Sequence, residues 1–245
     1  MMKGVGRILE IWRYPVSSVG GEYVPYAELN ARGLVGDRQY ALIDAKSGMS
    51  AAPEKEKKWR PALHLQAMHF DNSMPIMKFP NGESYEIADR LLNSCLSDFF
   101  GFATAVGVYE FNGKNSEFPL TRHRHQHSPL HLVTTASLKH LTSLGQVDAL
   151  DSRRFRPTCL IEANESGRFV ENEWIGKHLR LGAVDLTAND PTKRCGITFL
   201  PQPGLDEDPE ILRSILRHNK RHLGLYCLIN AAGKIQVGDE LLIDE

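Results

Sequence analysis

With 245 residues, 42% of them hydrophobic and 24% charged, the chain has the composition of a folded globular protein and not of a disordered one. A formal net charge of −1 excludes a global field that would draw it to nucleic acid or an acidic membrane, so any bound anion must be held by a local cluster of bases. No apolar run nears the ~20 residues that a membrane helix needs, and residues 1–12 alternate like a strand instead of forming a signal peptide. A cytoplasmic protein with no nucleic-acid or membrane partner is expected.

Gly and Pro punctuate short apolar runs throughout, which favours a β-rich fold. In chain order the pattern predicts strands over 5–14 and 40–44, with a turn at 44–48, then strands over 62–70 and 74–79. Leu91, Leu92, Cys95, Leu96 and Phe99 recur at helical spacing and predict a helix over 89–100 that Gly101 stops. The polar, histidine-crowded stretch 114–129 is the best candidate for a boundary. Beyond it come a strand over 130–134, a helix over 135–144 stopped by Gly145, and strands over 155–162, 179–187 and 223–230. A helix over 209–217 starts on acidic residues that match its dipole. A strand–turn–strand ending over 235–243 turns at Val237, Gly238 and Asp239. The expected architecture is mainly β, of the α+β class. An N-terminal β-barrel-like module over 1–118 precedes a β-barrel-like domain with a few helices over 119–245.

The four cysteines, Cys95, Cys159, Cys195 and Cys227, are widely spaced and form no CxxC pair, so thiols and not a disulfide frame are expected. Cys195 falls in Asn189-Asp190-Pro191-Thr192-Lys193-Arg194-Cys195-Gly196-Ile197-Thr198, between a run ending at Thr187 and another near Ile197. That places it on a loop, where reactive groups are displayed. Lys193 and Arg194 flank it and favour the thiolate, a soft ligand suited to a metal or to a transferable sulfur. A half-buried structural cysteine beside two solvated bases is the competing reading.

Ser152-Arg153-Arg154-Phe155-Arg156-Pro157-Thr158 surrounds one phenylalanine with three arginines. Strand alternation would put Arg154 and Arg156 on one face, and paired guanidinium forks suit a phosphate or other polyanion. A surface ion-pair strand fits the same residues. Tyr14-Pro15-Val16-Ser17-Ser18-Val19-Gly20-Gly21 offers hydroxyls and backbone amides to an anion, and Gly33-Leu34-Val35-Gly36-Asp37-Arg38 delivers Asp37 and Arg38 before a strand. Both are weak as isolated turns. His123, His125 and His127 would share a face if extended, but flanking arginines would repel a cation, so a solvated basic linker is expected there.

Taken in order, these segments resemble one family over nearly the whole chain. The Tyr14–Gly21 and Gly33–Arg38 motifs are similar to the N-terminal barrel module that accompanies MOSC domains. Pro129-Leu130-His131-Leu132, Arg153-Arg154-Phe155-Arg156-Pro157, Glu171 with Trp174 and Gly176, Arg194-Cys195 and Val237-Gly238-Asp239 resemble the MOSC domain itself. The family takes its name from the C-terminal part of molybdenum cofactor sulfurase and includes amidoxime-reducing components and bacterial reductases of N-hydroxylated compounds.

The resemblance implies a molybdenum–pterin cofactor with Cys195 as the catalytic thiolate and protein ligand to the metal. It implies that Arg194, Arg154, Arg156 and Arg38 hold the pterin and its phosphate, with Ser18 and Thr158 in the same pocket. Two positions depart from the common pattern: Ser17 stands where many relatives carry lysine, and Thr158 where many carry asparagine.

The implied activity is reduction of a small N-hydroxylated substrate by oxygen-atom transfer. The alternative is a cofactor carrier or a sulfur-transfer module with a persulfide on Cys195. No GxGxxG opens a helix and no cysteine quartet has iron–sulfur spacing. Electrons are therefore expected from a separate protein of the ferredoxin or flavin-reductase type.

Overall fold

The computed structural model describes residues 1–70, 73–109, 117–122, 128–145 and 147–244. His123, His125 and His127 lie outside them, so the reading of that stretch as a basic linker is carried no further. The N-terminal half supplies β1 (Met2–Arg13), β2 (Val16–Ser17), β3 (Glu22–Tyr23), β4 (Tyr26–Asn30), β5 (Gly33–Leu34) and β6 (Tyr40–Asp44). It continues with β7 (Gln66–Met68), β8 (Ile76–Lys78), β9 (Ser84–Glu86), helix α1 (Leu92–Phe100), β10 (Thr104–Tyr109) and β11 (Leu120–Thr121). The remainder supplies β12 (Leu130–Thr134), α2 (Thr135–Ser143), β13 (Cys159–Ala163), β14 (His178–Leu181) and β15 (Val184–Lys193). It ends with α3 (Pro209–Asn219), β16 (His222–Ala231), β17 (Gly233–Gln236) and β18 (Glu240–Asp244). The expectation of a mainly β protein with a few helices holds.

Seven strands close a barrel in the order β13, β12, β16, β15, β14, β18, β1, with β1 pairing back to β13. The first strand of the chain therefore completes a barrel that the later residues build. A bulge between Ile8 and Glu10 resets its alternation, so that both Ile8 and Ile11 face the core while Leu9 points out. The barrel interior is packed with apolar side chains, among them Leu132, Ile161, Leu186, Leu225 and Leu241. α2 and α3 cover one flank through Leu141, Ile211 and Ile215, which pack with Phe155. Both are capped as a helix start requires: Thr134 Oγ1 accepts from the Ser137 amide at 3.1 Å and Asp208 Oδ1 from the Glu210 amide at 2.9 Å.

The other core gathers Val16, Leu42, Trp59, Leu65, Met77, Leu92, Leu96 and Val106 under β2, β6, β10 and α1. Among the described residues, no helix is long and apolar enough to cross a membrane.

Three local expectations are corrected. Residues 62–70 are not one strand. A 3-10 helix spans Lys57–His64, burying Trp59 and Ala62 at the three-residue spacing of that helix with Leu63 beside them, and only Gln66–Met68 is extended. The strand expected over 179–187 is a hairpin, because Gly182, at φ 57, turns the chain between β14 and β15.

The strand expected over 155–162 begins only at Cys159. Asp151 caps a short 3-10 turn, Ser152–Phe155, by accepting from the Arg153 amide at 2.8 Å. Arg156 follows in the left-handed region at φ 50, and Pro157 has no N–H to offer a sheet. Arg154 and Arg156 thus share no strand face.

Candidate functional site

β15 runs on to Lys193, past the Thr187 end expected from sequence. Register shifts between Ala188 and Asp190 and between Pro191 and Lys193 let the strand accommodate Pro191. Arg194 and Cys195 therefore emerge at the barrel rim, just before a single 3-10 turn, Gly196–Thr198. Reciprocal hydrogen bonds pin this corner. The Arg194 amide donates to the Arg221 carbonyl at 2.8 Å, and Arg221 Nε donates to the Arg194 carbonyl at 2.7 Å.

Cys195 opens into a cavity of about 250 Å3 at the seam of the two cores. The N-terminal side contributes Ser17, Ser18, Arg38 and Glu54; the barrel side contributes His131, Arg156, Thr158 and Arg194. Of the residues anticipated from sequence, Ser18, Arg38, Arg156, Thr158, Arg194 and Cys195 all line this one space. Arg154 does not join them. Its Nη2 donates to the Asp206 carbonyl at 2.6 Å and its Nη1 to that of Leu200 at 3.5 Å, bracing the 200–206 loop. The 3-10 turn that replaces the expected strand sends consecutive side chains in different directions.

The three arginines of the cavity differ in what they have left to offer. Arg194 is engaged at each of its three nitrogens: Nε donates to Leu223 O at 2.7 Å, Nη1 to Phe155 O at 2.9 Å and Nη2 to His131 Nε2 at 2.6 Å. The His131 tautomer that accepts this bond carries its proton on Nδ1, which faces Arg156 O at 3.3 Å. Burial and the Arg194 charge hold His131 well below the usual histidine range, so it is neutral at pH 7.

Arg38 is ion-paired with Asp37 and donates from Nη2 to Arg156 O at 3.1 Å. Burial opposes its charge, but the attraction of Asp37 outweighs this and its pKa is raised. Arg156 is the exception. It is buried, its pKa is pushed down by desolvation to about 10, and its Nη2 has no hydrogen-bond partner. Its guanidinium sits 4.2 Å from the centre of the Tyr14 ring, with that of Arg38 at 4.9 Å.

A buried guanidinium with an open donor costs free energy unless something accepts from it. That open donor, three arginines, serine and threonine hydroxyls and a thiol in one cavity fit an anionic cofactor that also needs a soft metal ligand. Ser18, Arg38 and Arg156 all adopt positive φ, at 66, 47 and 50°. L-residues hold that conformation only where surrounding structure enforces it, and it clusters at functional sites.

One electrostatic expectation is corrected. Cys195 is not poised as a thiolate. Burial raises its pKa, Glu54 adds to the rise, and the opposing pull of the Ile197 amide, Arg194 and Arg221 does not overcome them. Arg194 flanks the thiol in sequence but turns its fork toward His131 and two carbonyls. Among the described residues, no group of three or more His, Cys, Asp or Glu could hold a metal ion by itself.

Sequence reasoning placed His131 and Tyr14 only as parts of family-like motifs and missed Glu54, Ser50, Tyr109 and Tyr226, which reach the cavity from one loop and two strands. No local signal marks them. A larger cleft of about 830 Å3, lined by Glu54, Lys55, Lys193, Cys195, Arg221 and Tyr226 among others, adjoins on the outer side of the thiol.

Comparison with known proteins gives a family. The model of the MOSC N-terminal beta barrel domain matches residues 5–90, and that of the MOSC domain matches residues 119–242. Among solved structures, the YUAD protein from Bacillus subtilis has a TM-score of 0.53 at 10% identity, over 99% of this chain and 98% of that one. That likeness is one of fold alone. YiiM from Geobacillus stearothermophilus gives a TM-score of 0.37 at 14% identity, over 48% of this chain and 55% of that one. No curated protein matches the chain. With both models covering most of its length, the chain belongs to the MOSC family, whose domains are related to the molybdenum cofactor.

Proposed function

We propose that the protein binds a molybdenum–pterin cofactor in the seam cavity and reduces N-hydroxylated compounds. One observation carries this reading: the open, buried donor of Arg156 lines the same cavity as the Cys195 thiol. When bound, the cofactor supplies the two-electron chemistry that breaks an N–O bond, converting R–NHOH, two electrons and two protons into R–NH2 and water.

The remaining tasks fall to the chain. Cys195 gives up its proton to serve as the single protein ligand to the metal. Arg156 holds the cofactor's anionic part, assisted by Ser18 and Thr158. Arg38 braces Arg156 through its carbonyl, and Arg194 braces the rim on which Cys195 sits. The outer cleft leaves room for a substrate beside the thiol. Glu54, which lines both spaces, is assigned the delivery of protons. Electrons come from a separate ferredoxin- or flavin-type protein through a transient encounter.

A persulfide-carrying role for Cys195 is the second reading of the same thiol. Both roles need the Cys195 thiolate, which burial disfavours in the free protein, and the assay below separates them.

The test is the protein from a molybdate-fed host, assayed with reduced viologen and an N-hydroxylated base. Turnover is expected with viologen and not with NADH or NADPH alone. Cys195→Ser is expected to abolish it without lowering the melting temperature, since a hydroxyl is a poor ligand for a soft metal. Wild-type turnover in Cys195→Ser would refute the ligand assignment, and full molybdenum loading without viologen activity would favour the carrier role.

A further inference from the structure

A second cavity, of about 300 Å3, shares Arg156 with the cysteine cavity and none of its other lining residues. Its polar character is unusual. Tyr14, Gln202 and Arg156 all line it, and Tyr14 Oη, Gln202 Nε2 and Arg156 Nη2 are buried without a hydrogen-bond partner. Tyr14 is only 2% exposed and Arg156 only 8%. Gly21 lets the tyrosine seat there, because a Cβ at that position would lie 2.4 Å from Tyr14 Cδ1.

Each of these atoms can donate, and together they ask for an acceptor with several lone pairs. The charges agree with that demand. Lys78 and His64 stand at the exposed rim, and no carboxylate is present among the described residues that line the cavity. Arg153 also lines it, but its fork is already held by Asp151. The other walls are apolar and aromatic, with Trp12, Leu63, Phe79 and Pro80.

We propose that this second cavity binds an organic oxyanion, a phosphate monoester or carboxylate with a small apolar body. Its charged end would lie against Tyr14, Gln202 and Arg156, and its body against Trp12 and Phe79. Buried donors are ordinarily satisfied, and three on one cavity wall are best met by one ligand bearing several oxygens. Arg156 is the single residue in common with the cysteine cavity, so a bound cofactor would share that guanidinium, while Tyr14 and Gln202 belong to this cavity alone.

The test is calorimetric titration of the full chain with phenyl phosphate, on protein isolated with and without bound molybdenum, with phenol as the uncharged comparator. Saturable binding is expected in both preparations with phenyl phosphate, weaker in the molybdenum-bound one where the cofactor shares Arg156, and in neither with phenol. Gln202→Leu and Tyr14→Phe are each expected to weaken binding about tenfold, the effect of losing one hydrogen bond to a charged group. Cys195→Ser should bind as the wild type does. Lys78→Met, a change at the exposed rim that spares the fold, should weaken binding at low salt and much less at high salt.

Absence of saturable binding would overturn the proposal, as would unchanged affinity in folded Gln202→Leu and Tyr14→Phe. Binding that disappears when molybdenum is loaded would also overturn it, since the cavity would then hold the far end of the cofactor itself.

Discussion

Replacing Arg156 by methionine separates cofactor binding from folding. The substitution keeps an unbranched side chain of similar length, so the backbone strain at φ 50 is the same in both proteins. Three terms change. The open Nη2 donor disappears, removing a charge-assisted bond to the cofactor of about 1.5–3 kcal/mol. The stacking of the guanidinium over Tyr14, at 4.2 Å, is lost, for about 1 kcal/mol. Against this, a buried cation that desolvation has already pushed down to about 10 no longer has to be kept out of water.

The last two terms oppose each other and act on the empty protein, whose stability should change by no more than about 1 kcal/mol, or ~2–4 °C in Tm. The first acts only when the cofactor is bound and corresponds to a roughly ten- to hundred-and-fifty-fold weaker hold. Molybdenum per chain, measured by elemental analysis after extensive dialysis, should fall sharply while the melting curve of cofactor-free protein barely moves. Full molybdenum retention in a folded Arg156→Met protein would refute the assignment of this guanidinium as the principal anion donor.

Arg154→Ala should do the reverse. It should cost about 1–3 kcal/mol of stability through the lost contacts to Leu200 and Asp206 while leaving molybdenum content unchanged, and depleted molybdenum in the folded variant would count against the geometry. Gly224→Ala should be among the most damaging single changes, by about 2 kcal/mol or more in denaturant unfolding. The new Cβ would lie 2.6 Å from Leu132 O, 2.8 Å from His131 Nε2 and 2.9 Å from Arg194 Nη2, at φ 87.

His131 predicts a pH dependence. Its folded pKa lies below 6.5, so its contribution is fully present above pH 6.5. It is lost as pH falls below that value, because the unfolded chain takes up a proton that the folded chain does not. The slope is at most about 1.4 kcal/mol per pH unit. Unfolding free energies at pH 6.5 and 5.5 should show this slope reduced in His131→Gln, and identical slopes would remove His131 as its source.

Periodicity and punctuation determined the mainly β fold class, the strands at 40–44 and 130–134 and the helix ended by Gly101, because each follows from neighbours along the chain: alternation, helical spacing, a stop residue. The family resemblance also implied that Ser18, Arg38, Arg154, Arg156, Thr158, Arg194 and Cys195 belong together, and the fold gathers all of them but Arg154. What these residues do when assembled was decided only by tertiary structure. Leu63, Leu65 and Ala67 alternate as in a strand, yet Leu63 belongs to a 3-10 turn that the core covers. Arg154 and Arg156 look equivalent in sequence, yet a capped turn and the proline after Arg156 send one to a structural loop and the other to the cavity. Lys193 and Arg194 next to Cys195 suggest a thiolate, but the charge on a thiol depends on water and on where guanidinium groups point, and both are set by burial. Glu54, Tyr109 and Tyr226 reach the site from segments far apart in sequence, and only the closed barrel docked on its partner core brings them within range of one another.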